Sequence, residues 1–80
     1  MKDQIRQVIK EHGHLSVEIE ALADDADLYR AGMTSHASVN VMIALEDTFE
    51  IEFLDSMLKR SVFESVDSIA DALAEVGVPA

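Results

Sequence analysis

Apolar residues recur at helical intervals in three separate stretches of this 80-residue chain, and no two stretches alternate as a pair of strands must. Ile5, Val8, Ile9 and His12 fall at i, i+3, i+4 and i+7, which predicts a first helix over about residues 2 to 12, ended by Gly13. A second helix is predicted from about Ser35 to Glu50, with Val39, Met42, Leu45 and Phe49 facing inward. The last places Val66, Ile69, Ala70, Leu73 and Val76 on one face, with Ser65 as cap and Gly77-Val78-Pro79 as stop. Between the second and the last, Leu54, Met57 and Leu58 predict a short helical turn.

Residues 14 to 34 follow no helical period. Leu15, Val17 and Ile19 alternate, but no second run is available to pair with them, and a lone strand is unstable in water. The segment therefore reads as a long ordered loop, which in a compact domain is either functional or a missed element. Pinned by Leu15, Val17, Ile19, Leu22, Leu28 and Tyr29, it would deliver Gly32 to Ser35 at one end of the helices. No internal repeat, low-complexity tract or linker divides the chain, so residues 1 to 80 are expected to form a single domain.

A domain of this size buries only roughly 60% of the surface its unfolded chain exposes, which leaves no room for a deep catalytic cleft. With no cysteine, neither disulfides nor thiolate metal sites supplement the core. The charged, periodic N-terminus does not read as a signal peptide, and no apolar run approaches the length needed to span a bilayer. A cytoplasmic location, with no membrane partner, is the expectation. Sixteen acidic against six basic residues give a formal net charge of −10, which argues against nucleic acid as a partner. Between Arg30 and Lys59 there is no Lys or Arg, whereas Glu46, Asp47, Glu50, Glu52 and Asp55 all fall there. Basic surfaces of partner proteins would be steered to that region.

The Gly32-Met33-Thr34-Ser35-His36 run opens the most apolar helical stretch. A Ser or Thr there ordinarily accepts a backbone N–H as an N-cap. Thr34 can serve as that cap, which leaves Ser35 free in the first turn. There the helix end carries about half a positive charge, a field that favours a phosphodiester on the Ser35 hydroxyl. Gly32 permits a positive-φ entry into the helix. His36, if charged, opposes the helix dipole but attracts a neighbouring phosphodiester. His36, Asn40, Ile43 and Asp47 form a stripe directed away from the core, with Ile43 among acids as a docking surface.

Other chemistries fail on spacing. Ser35 and His36 are neighbours on a helix, about 100° apart, with no third group to orient them as a nucleophile and base. A calcium loop beginning at Asp25 would put Arg30 where Gly is needed and His36 where Glu is needed, and one beginning at Asp27 would put Ser38 at the bidentate acid. His12 and His14 are too few for a metal site. An unmodified acidic helical adaptor remains open as a reading of another class.

The segment Asp27-Leu28-Tyr29-Arg30-Ala31-Gly32-Met33-Thr34-Ser35-His36, followed by Val39, Met42, Ala44-Leu45-Glu46-Asp47, Phe49 and Ile51-Glu52, resembles the phosphopantetheine attachment region of acyl carrier proteins. The resemblance implies an all-α fold: a small four-helix bundle with a long ordered loop between helices 1 and 2 and a short third helix. It implies a non-catalytic carrier whose Ser35 receives 4'-phosphopantetheine from coenzyme A through a phosphopantetheinyl transferase. The arm's thiol then holds an acyl group as a thioester. Gly32, Thr34 and His36 would flank the attachment point, and Asn40, Ile43, Glu46, Asp47 and Asp55 would meet partners. The carrier is expected to act as a monomer.

The chain also departs from the family pattern. Thr34-Ser35-His36 replaces the usual Asp-Ser-Leu, Asn40 replaces a common glutamate, and Phe53-Leu54-Asp55 replaces an Ile-Pro-Asp-like sequence. Within the family, Asp27-Leu28-Tyr29, Gly32, Ser35, Ala37-Ser38-Val39 and Ile51-Glu52-Phe53 look most like the stand-alone aminoacyl carriers. The resemblance implies loading with glycine or another small amino acid such as alanine, by a ligase related to seryl-tRNA synthetase, and delivery to a downstream acceptor enzyme. A specialised fatty acyl or polyketide carrier is the alternative within the family.

Overall fold

Among the described residues three α-helices carry the fold: α1 at Lys2–His12, α2 at Ser35–Phe49 and α3 at Val66–Glu75. The structure is a computed structural model, and it describes residues 1–79. Three short 3-10 turns, Ile19–Ala21, Asp55–Met57 and Arg60–Phe63, lie in the connections, and no strand occurs among the described residues. No helix among them is long and apolar enough to cross a membrane.

α1 packs against both α2 and α3. Its inward row is Ile5, Val8 and Ile9, and with Val41 and Leu45 of α2 and Val66, Ile69 and Leu73 of α3 it forms the centre of the core. α3 begins as its sequence predicts. The Ser65 hydroxyl accepts from the Ser68 N–H at 3.0 Å, and the Ser68 hydroxyl accepts from the Ser65 N–H at 3.0 Å, a reciprocal capping box.

Residues 14–34 form an ordered connection with only the one short 3-10 turn. Its backbone is held by one cation. The Arg6 guanidinium donates to the carbonyls of Ile19 and Leu22 at 2.8 and 2.9 Å and to the Asp24 carboxylate at 2.6 Å. Leu28 is fully buried, and its N–H donates to the Glu64 carbonyl at 2.7 Å. The Asp67 N–H, in the first turn of α3, donates to the Asp24 carbonyl at 3.0 Å. These bonds satisfy loop groups that would otherwise be stranded against the core.

Two expectations are corrected. In place of the short third helix of a four-helix bundle there are two 3-10 turns, separated at Lys59, whose backbone is extended. Three and four residues beyond Met57 stand Arg60 and Ser61, so no apolar row exists to support a longer helix, and 3-10 runs are short. The phase of α2 also differs. Its buried row is Ala37, Val41 and Leu45, Met42 and Phe49 are half-buried, and Val39 is 50% exposed. The thin 3-10 segment leaves the Val39 side of α2 open as a cleft, instead of covering it as a full helix would.

Candidate functional site

The approach to α2 is a tight turn built on Asp27. One carboxylate oxygen of Asp27 accepts from the N–H groups of Tyr29 and Arg30, at 2.9 and 3.3 Å. Leu28 and Met33 are both buried and anchor the turn to the core, and the Met33 N–H donates to the Leu28 carbonyl. Between them Gly32 adopts φ +114°, a conformation that residues with a Cβ rarely reach. A Cβ there would also lie 2.5 Å from the Ser16 hydroxyl oxygen and 2.9 Å from the Ser16 backbone nitrogen. Ser16 in turn donates to the Ala31 carbonyl with both its N–H and its hydroxyl, each at 2.9 Å. The 14–34 segment therefore clamps the entry to α2 from behind.

Thr34 is the N-cap, its hydroxyl oxygen accepting from the Ala37 N–H at 3.0 Å. Ser35 is the first residue of α2 and is exposed. Its hydroxyl has no hydrogen-bond partner among the described residues; only its carbonyl is engaged, accepting from the Ser38 hydroxyl at 2.7 Å. The side chain is thus a free alcohol in the positive field of a fifteen-residue helix. His36 is exposed beside it.

Beside Ser35 opens a cleft of about 260 Å³ that sequence reasoning did not foresee. Val39 and Met42 of α2 line it together with Leu58, Lys59, Arg60 and Phe63 from the segment before α3, and with Tyr29. The Arg60 guanidinium lies over the Tyr29 ring, 3.9 Å from its centroid. The signal available beforehand was the Lys59-Arg60 pair itself, which ends the cation-free segment.

Of the residues expected to meet partners, Asn40, Ile43, Glu46 and Asp47 line two grooves that share Asp47, and Asp55 lies apart from both. Asn40, Ile43 and Asp47 line a shared shallow groove on α2, with Ile43 half exposed. Glu46 is instead half-buried, and its carboxylate accepts from the Phe53 N–H at 3.0 Å, so it fixes the chain where it leaves α2. Glu46 and Asp47 also line an acidic rim with Glu50 and Glu52, whereas Asp55 opens the separate 3-10 turn at Asp55–Met57. Among the described residues no three His, Asp or Glu side chains gather as a metal site.

The cap at Thr34 thus leaves Ser35 exposed at the start of α2 with a cleft beside it. The family described as the phosphopantetheine attachment site matches residues 3–74, and the chain belongs to it. It accordingly uses a phosphopantetheine prosthetic group and is a carrier, with no catalytic role of its own. Free hydroxyl, helix field and neighbouring cations fit that anionic arm. The chain is 41% identical over 73 residues to the aminoacyl carrier protein of Agrobacterium fabrum strain C58, covering 91% of this chain and 88% of that protein.

Among solved structures it is similar to a carrier protein from Agrobacterium tumefaciens, crystallised with an engineered Bradyrhizobium japonicum glycine:[carrier protein] ligase and AMP. The TM-score is 0.90 at 40% identity, with 92% of this chain and 99% of that one covered. A solution structure from Agrobacterium tumefaciens matches at TM-score 0.76 and 39% identity, covering 95% of this chain and 92% of that one.

Proposed function

We propose that this chain is an aminoacyl carrier whose Ser35 hydroxyl bears the 4'-phosphopantetheine arm, with a small amino acid such as glycine or alanine held as a thioester on the arm's thiol. The observation that carries the proposal is the division of labour between Thr34 and Ser35. Thr34 satisfies the helix end, and the exposed Ser35 oxygen keeps all its bonding capacity for another group. A phosphodiester at that oxygen gains from the first-turn N–H groups, by roughly 0.3–1 kcal/mol for an exposed anion.

Under this reading a phosphopantetheinyl transferase installs the arm from coenzyme A, a ligase loads the amino acid, and an acceptor enzyme receives it. Tethering raises the local concentration of an activated acyl group wherever the carrier docks. The cytoplasm is the proposed setting. Support for an aminoacyl cargo comes from the likeness to the Agrobacterium fabrum aminoacyl carrier protein and to an Agrobacterium tumefaciens carrier crystallised with a glycine:[carrier protein] ligase. Docking would use Asn40, Ile43 and Asp47, which share one groove.

Incubation with coenzyme A and a phosphopantetheinyl transferase tests the attachment. The expected result is the mass of one arm on the wild type and none on Ser35→Ala, with the variant as stable as its parent. Subsequent addition of ATP, glycine and a glycine:[carrier protein] ligase is expected to add one glycyl group, labile to hydroxylamine. Arm mass on Ser35→Ala refutes the site; an arm that accepts only long fatty acids refutes the cargo.

A further inference from the structure

Three of the six cations in this chain are paired: Lys2 with Asp24 and Asp67, Arg6 with Asp24, and Lys10 with Glu20. Arg30 and the adjacent pair Lys59 and Arg60 have no carboxylate partner among the described residues, although the chain carries sixteen acids. Lys59 and Arg60 line the cleft that Ser35 also lines, together with the apolar side chains of Val39, Met42 and Phe63. Arg60 is held there by its stack on Tyr29. Two adjacent cations left without acids in so acidic a protein, beside a free hydroxyl and an apolar floor, form an arrangement suited to an amphipathic anion.

We infer that Arg60, with Lys59 beside it, is the clasp for the phosphodiester of an arm on Ser35, and that it lays the arm's first apolar segment against Val39 and Met42. The inference rests on the proposal that Ser35 bears the arm. A guanidinium presents paired N–H donors in a planar fork that matches two phosphate oxygens, and it can keep an aromatic ring against its face while its edge donates. Tyr29 therefore holds the fork ready without competing for its donors. Lys59 contributes a point charge to the same anion. With the phosphate clasped, the arm leaves the protein along the cleft floor instead of swinging freely from its first atom. The cargo end is then released into a partner by breaking an exposed, salt-sensitive contact.

The test uses full-length protein in apo and arm-bearing forms, as wild type, Arg60→Ala and Arg60→Lys, each checked for a single arm on Ser35 by mass. Tyr29 is the sole tyrosine and there is no tryptophan, so intrinsic emission reports the Arg60 stack directly. On arm attachment the wild type is expected to shift the Arg60 Nε–H resonance and change Tyr29 emission, and the Val39 and Met42 methyl signals are expected to move. In Arg60→Ala the phosphorus line is expected to narrow and the methyl shifts to shrink toward apo positions. Arg60→Lys, which keeps the charge but not the fork, should fall between. Fully loaded wild type with Arg60 and Tyr29 signals identical to apo overturns the clasp while leaving the attachment intact. Absence of any arm on Ser35 refutes the attachment proposal itself, and the clasp with it.

Discussion

Gly32→Ala probes the clamp that aims Ser35. At φ +114° an alanine sits in a region populated essentially by glycine, at a cost of about 1–3 kcal/mol. The new methyl carbon would also stand 2.5 Å from the Ser16 hydroxyl oxygen and 2.9 Å from the Ser16 nitrogen. The hydroxyl can rotate away, but the nitrogen is backbone, so Ser16 must retreat and weaken its two bonds to the Ala31 carbonyl. Losing one such bond costs about 1 kcal/mol. Together the loss is about 2–4 kcal/mol, a large share of the roughly 4–12 kcal/mol expected for a domain of this length. Urea unfolding followed by circular dichroism is the assay, and with a slope near 1 kcal/mol/M the midpoint should fall by about 2–4 M. A double-mutant cycle with Ser16→Ala separates the causes. Removing the hydroxyl relieves the closest contact but neither the backbone contact nor the dihedral strain, so most of the loss should persist. A Gly32→Ala midpoint within about 0.5 M of wild type would refute the clamp.

Thr34→Ala removes the α2 cap and should cost about 1 kcal/mol of unfolding free energy, with Thr34→Ser restoring most of it in the same denaturation assay. The Asp24 carboxyl is held below its ordinary value of 3.8 chiefly by the hydrogen bond from Arg6, assisted by the charges of Lys2 and Arg6 and opposed by desolvation. A carboxyl depressed in the folded state stabilises above its unfolded value and loses that contribution as pH falls through the folded value, so thermal stability should decline below about pH 4. Asp24→Asn should flatten that decline in a melting series at pH 2 to 6, and an unchanged decline would clear Asp24 of the role. Ile43→Asp should leave stability within about 0.5 kcal/mol but weaken binding to a glycine:[carrier protein] ligase roughly fivefold, measured by calorimetry.

Helices α1 and α3 were legible because each has one narrow apolar row and strong end signals, the latter down to the Ser65 cap. α2 was legible in its bounds, Ser35–Phe49, and in Leu45, but not in the side that Val39 takes. Ala37, Val39, Val41, Met42, Ile43, Ala44 and Leu45 are apolar on nearly every side, so period alone does not select the buried face. Packing against α1 selects Ala37, Val41 and Leu45 and turns Val39 outward. The absent third helix follows from the same limit: Leu54, Met57 and Leu58 have helical spacing, but only Met57 is buried. Glu46 reads as a surface acid in sequence, and only the path of the chain after α2 brings the Phe53 N–H to it. The cleft beside Ser35 arises where Val39 and Met42 of α2 meet the segment from Leu58 to Phe63, a juxtaposition no local pattern encodes.

Whether Ser35 bears the arm in life is tested most directly by the intact mass of the protein taken from its own cells, followed by fragmentation to locate the modification. The account predicts a single phosphopantetheine on Ser35, part of it carrying one small amino acid that hydroxylamine removes. A chain recovered bare, or with the arm on any other residue, would contradict it.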